Sequence, residues 1–73
     1  MGYKHGGAIT PDDNNDTGSY DAIFVGVGGD IEVITDSGKT ILFKNCATGA
    51  ILDVSHTRVL DTNTTATDLI GLE

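Results

Sequence analysis

The sequence is short of nearly everything a small domain uses to staple itself together or to do chemistry. It has one cysteine, Cys46, one proline, Pro11, and no tryptophan. A lone cysteine excludes an intrachain disulfide. With only His5 and His56 beside it, Cys46 also cannot complete the four-ligand set of a structural zinc site. Cations are scarce as well, four Lys and Arg against eleven Asp and Glu, for a net charge of −7. Lys4, Lys39, Lys44 and Arg58 neither cluster nor interleave with aromatics, which speaks against nucleic acid as a partner, because that affinity comes from cations neutralising phosphates. An anionic membrane surface is disfavoured on the same ground. No apolar run approaches the roughly 18 residues of a spanning helix.

The start "MGYKHGGAIT" lacks the apolar stretch of a signal peptide, and Gly6 stands where a myristoylation signal on Gly2 would need Ser or Thr. Synthesis in the cytoplasm is the expectation, and an unpaired thiol is at home there. A chain of 73 residues makes one domain, which buries about 60% of the surface its unfolded form exposes. A core of that size supplies about 3–5 kcal/mol without staples. Association with further copies is the remaining source of stability.

What is present divides into a polar arm, residues 1–19, and a β domain, residues 20–73. In the arm, "TPDD" carries a helix-start signal, with Thr10 as N-cap, Pro11 at the first position and Asp12 and Asp13 in the first turn. Asn14, Asn15 and Gly18 stop it after about one turn. An arm this polar has little of its own to bury, so its ordering is assigned to a neighbouring chain. From Asp21 onward, β-branched residues alternate between glycine turns. The pattern predicts strands over 21–27, 30–36, 39–44, 50–55, 56–61 and 67–72, the fourth and fifth being separate or one bent strand. The fold class is all-β, a small antiparallel sandwich or barrel of five to six short strands with an extended N-terminal arm. Ile23, Val25 and Val27 share one face, as do Ile31, Val33 and Thr35. Phe24, Ile34 and Leu42 occupy alternate positions where polar residues belong, and are candidate subunit contacts.

The glycines of "VGVGGDIEV" invite a phosphate-loop reading that the surrounding residues do not support. A dinucleotide fingerprint would need glycine where Ile31 stands, followed by a helix. Gly28-Gly29 between two alternating runs reads instead as a hairpin turn, and Gly38 and Gly49 as further turns. Gly26, inside a strand, marks a bulge or the close approach of another chain. Asp12, Asn14 and Asp16 have the opening spacing of a calcium loop, but Thr17 and Ile23 stand where its glycine and glutamate belong. Asp61, Asn63 and Asp68 lie in a Thr-rich segment whose hydroxyls are expected to bond neighbouring backbone; neither loop is assigned a metal. Cys46 and His56 are the one nucleophile and base pair of the usual kinds. Cys46 reads as a packed thiol and His56 as a half-buried strand residue, so no catalytic residue and no cofactor are expected.

Four stretches in order, "GGAITP", "AIFVGVGGDIEV", "FKNCATGAIL" and "TRVLDTNTTATDLIGL", resemble the small spike-base proteins of tailed-phage and gene-transfer-agent heads, over Gly6 to Leu72. Members often carry Val-Pro where this chain has Cys46-Ala47 and proline where it has Asp53, and the "DDNNDTGS" arm is its own. The resemblance implies an all-β virion protein on the capsid surface, oligomeric and pentameric to match a fivefold vertex. Its partners would be the major capsid protein and a spike or fibre protein, with Ile9, Pro11, Asp12 and Asp13 as candidate capsid or fibre contacts. A tail or baseplate adaptor fits the composition equally. A small carbohydrate-binding module is the other alternative, although the four aromatics, Tyr3, Tyr20, Phe24 and Phe43, make few sugar platforms.

Overall fold

Alternation of β-branched and smaller residues produces seven strands and no helix in a computed structural model that describes residues 3–73. Gly2, considered above as a lipidation position, lies outside the described residues. The strands are β1 (Gly6–Ile9), β2 (Ala22–Val27), β3 (Gly29–Thr35), β4 (Thr40–Cys46), β5 (Ile51–Leu52), β6 (His56–Leu60) and β7 (Thr67–Leu72). They form a four-stranded sheet of order β1-β7-β2-β5 and a three-stranded sheet of order β4-β3-β6, with every pairing antiparallel. The inward residues of both sheets make one core: Ile9, Ile23, Val25 and Leu69 from the first, Ile31, Val33 and Val59 from the second, closed by Ala66. Val27, placed by its alternation with Ile23 and Val25, runs past the end of this core and is 48% exposed.

The structure corrects four readings. First, β2 and β3 do not pair, so Gly28-Gly29 is not a hairpin turn but the crossover from one sheet to the other. Neither glycine has positive φ. A Cβ on Gly28 would sit 2.5 Å from the Cys46 carbonyl oxygen, and one on Gly29 would sit 2.7 Å from the Ala66 nitrogen. These positions are glycine because three chain segments converge there. Gly38 and Gly49 do have positive φ, 84° and 83°. Gly26 meets the backbone of Asp68 in β7, so the chain approaching it is its own.

Second, of the two strands expected over 50–61, the one at 56–61 is present as β6 to within one residue, whereas the one at 50–55 shrinks to two residues. β5 is a two-residue partner of β2, β6 pairs with β3, and Asp53 to Ser55 carry the chain between sheets. Third, "TPDD" starts no helix. The Asp12 carboxylate accepts hydrogen bonds from the Asn14 and Asn15 amides at 2.8 and 3.2 Å, a side-chain-closed turn that satisfies the local donors without helical backbone.

Fourth, the arm is held by its own chain. Its first part is β1, an edge strand on β7. Its second part runs along β6 and pairs that strand's outward backbone groups. The Asp12 amide donates to the Val59 carbonyl, the Thr17 amide to the Thr57 carbonyl, the Val59 amide to the Thr17 hydroxyl and the Asp61 amide to the Asp13 carboxylate. The polar arm pairs β6 with two backbone amides, of Asp12 and Thr17, and with two side chains, the Thr17 hydroxyl and the Asp13 carboxylate.

Tyr20 joins the two halves from inside. A Cβ on Gly71 would fall 2.2 Å from Tyr20 Cδ2 and one on Gly7 2.6 Å from the Tyr20 hydroxyl. The ring therefore lies flat over positions of β7 and β1 that carry no side chain, and it packs against the core.

Candidate interaction surfaces

The pair with catalytic potential is not assembled. Cys46 ends β4 opposite Gly29, whereas His56 begins β6 opposite Thr35. Six residues of β3 separate those levels, about 20 Å at about 3.3 Å per residue, and the two strands flank β3 on opposite sides. Burial pushes the Cys46 thiol up, with the Asp30 carboxylate adding to the effect, and the sulfur donates to the Phe43 carbonyl at 3.6 Å. A protonated, internally bonded thiol is a poor nucleophile. His56 is fully rather than half buried; its Nδ1 is 2.8 Å from the Val54 carbonyl, and its Nε2 has no partner among the described residues.

The two acidic segments likewise turn their oxygens to the chain itself. Asp12 closes its own turn, and those amide bonds, Asn14's first, hold its carboxyl below the usual carboxylate range. Asp13 accepts from the amides of Asp61 and Thr62 at 2.8 and 3.0 Å and from the Thr62 hydroxyl, which lowers its carboxyl too. Asp16 pairs with Arg58 at 3.0 Å. The carboxylates diverge onto separate partners, so the calcium-loop spacing of Asp12, Asn14 and Asp16 gathers no ligand set. In the second segment the Thr64 and Thr65 hydroxyls accept from the amides of Glu32 and Asp30, and the Asn63 amide group donates to Glu32. The Thr-rich stretch thus continues the ladder on β3 where β6 stops. Its hydroxyls do bond backbone, but backbone more than thirty residues away in sequence. Among the described residues no three His, Cys, Asp or Glu side chains are grouped to hold a metal.

What remains open is apolar surface. On the outer face of the four-stranded sheet, register aligns Ala8, Ile70, Phe24 and Ile51 in one row across all four strands. Ile51 is 53% and Ile70 40% exposed, with Phe24 half-buried between them. On the outer face of the other sheet, Leu42, Glu32 and Leu60 form one row and Thr40, Ile34 and Arg58 the next. The three candidate subunit contacts therefore divide: Phe24 faces one side of the sandwich, Ile34 and Leu42 the other. Of the candidate capsid contacts, Ile9 is in the core, 6% exposed opposite Leu69, and so is unavailable. Its burial follows from β1, which period-2 reading missed because two of its four residues are glycine. Pro11 and Asp12 are half-buried and Asp13 exposed. Ile51 and Ile70, the most open members of the row, were not singled out from sequence; pairing of β2 with β7 and β5 is what sets them beside Phe24.

No family model matches the chain, and no match is found among the curated proteins. Among solved structures, the chain is similar to one described as "Capsid of native GTA particle computed with C5 symmetry", GTA being gene transfer agent. The TM-score is 0.88 and the identity 34%, over 100% of this chain and 86% of that one. With that identity over its whole length, the chain belongs to the same family as that capsid chain, the structural proteins of phage-type and gene-transfer-agent capsids.

Proposed function

We propose that the protein is a spike base on the outer capsid surface, a ring of five copies at a fivefold vertex that anchors a spike or fibre and carries out no catalysis. The observation that carries this reading is the full-length similarity to a chain of a capsid whose structure was computed with fivefold symmetry. The apolar row of Phe24, Ile51 and Ile70 supports it, because a small protein with such a stripe on one sheet gains by covering it with a partner. The net charge of −7 suits a position away from packaged DNA. The major capsid protein lies below the ring and the spike protein above it.

Cryo-electron microscopy of the parent particle tests the proposal. Five copies around each vertex, outside the shell and below a spike, are expected. Density for the chain in the tail or baseplate alone would replace this reading with the adaptor alternative.

A further inference from the structure

The two edges of the three-stranded sheet are finished in opposite ways. On the β6 side, the arm takes up the outward backbone groups of Thr57, Val59 and Asp61. On the other side, β4 pairs only with β3 among the described residues, and its seven residues have no strand or arm beyond them. Such an edge is a template for another chain, and monomeric proteins normally cover or blunt it. Ile41 and Leu42 are both exposed there, on opposite faces of the strand.

Charge is divided between the same two edges. Lys39 and Lys44, two of the four cations, flank the exposed part of β4. Asp36 stands in the adjoining turn, and Asp30 spends a carboxylate oxygen on the Asn45 amide at 3.0 Å. The arm edge carries Asp12, Asp13, Asp16 and Asp61, with Arg58 already tied to Asp16. An unpaired edge carrying two lysines and exposed apolar side chains thus lies across the sheet from an acidic one covered by the arm. Beside the acidic edge, Pro11 and Leu60 offer half-buried apolar surface.

We infer that β4 is the docking edge for a second copy of this chain, and that it receives the neighbour's acidic arm, residues 11–16, with Lys39 and Lys44 facing those carboxylates. The contact is head-to-tail, which is the kind that closes a ring of odd number; a like-with-like contact generates twofold pairs instead. Each copy offers one edge of each type, so the contact repeats around the ring. The inference rests on the ring reading above and names the surface that closes it.

Native mass spectrometry of the full chain, with circular dichroism as a check of folding, tests it. K39E/K44E should remain folded and lose the ring, and the wild-type ring should weaken as salt rises. Adding N14K/N15K, which places two cations on the opposite edge at exposed positions, should restore assembly in part. Asp21→Lys, which returns the same charge to the other sheet, should not. A ring that survives K39E/K44E, or that is restored equally by Asp21→Lys, overturns the inference and leaves the ring reading standing. A wild-type chain that is monomeric at every salt concentration defeats the ring and this contact together.

Discussion

Tyr20 and His56 exchange both backbone hydrogen bonds, at 3.2 and 3.1 Å, and their rings lie 6.1 Å apart at a tilt of 39°. This single bridge ties the residue that leads into β2 to the first residue of β6, across the gap between sheets. It also fixes the backbone of Tyr20, from which the ring covers Gly71 and Gly7.

Gly71→Ala should therefore act as an overpacking substitution, costing about 1–3 kcal/mol, although the residue lies in a strand where alanine is normally tolerated. Thermal and urea unfolding measure the loss. In a double-mutant cycle with Tyr20→Ala the two effects should fall well short of additive, because removing the ring removes the clash. Additive losses would show that Tyr20 is not the obstruction.

Gly28→Ala and Gly38→Ala should differ in kind. At Gly38 the added Cβ has open space, so the cost is that of positive φ, about 1–2 kcal/mol. At Gly28 it meets the backbone of Cys46 and Thr48, and the crossover itself must shift. Urea midpoints should rank Gly28→Ala as the less stable of the two.

Asp13 gives the arm a pH dependence whose sign is fixed by its lowered carboxyl. The Thr62 hydroxyl and amide favour the charged form, with the Asp61 amide adding to them. A depressed folded value means that the contribution is present above the ordinary 3.8 and lost as pH falls through the folded value. Hydrogen exchange at the Asp61 and Thr62 amides, corrected for intrinsic rates, should lose protection over that acid range. Asp13→Ala should show the unprotected level already at neutral pH. Since Asp13 is exposed, the effect is local and salt-sensitive.

The two outer faces can be separated by substitution. Ile51→Asp and Ile70→Asp alter exposed positions and should leave circular dichroism unchanged while abolishing sedimentation with spikeless capsids. Ile23→Asp places a charge in the core and should not fold. Unimpaired attachment of both Ile51→Asp and Ile70→Asp would remove the four-stranded sheet from the particle contact.

Sequence reading located β2, β3, β4, β6 and β7 to within about two residues, because each is long enough for period 2 to show through. It failed where pairing is decided at a distance. Gly28-Gly29 has the local chemistry of a hairpin, yet β2 finds its neighbours in β7 and β5, and nothing between Val27 and Asp30 records that. The arm was legible as polar but not as a cover for β6, since that role depends on matching Asp12, Asp13 and Thr17 to groups forty or more residues onward. Phe24, Ile34 and Leu42 were correctly seen as outward-facing. That they face opposite ways follows only from knowing that β2 and β3 lie in different sheets.

The position of β7 between β1 and β2 sets an order of events for folding. The middle of the four-stranded sheet is supplied by the last strand in chain order, so β1 has no partner and Ile9 no Leu69 to meet until Thr67–Leu72 has been synthesised. Early fragments cannot close the core in steps. Folding must wait and then proceed through contacts between distant ends, which is slow by comparison with local pairing. Interrupted synthesis would leave chains with unpaired strands and exposed Ile23 and Val25, whereas the arrival of β7 joins β1 and β2 into one sheet.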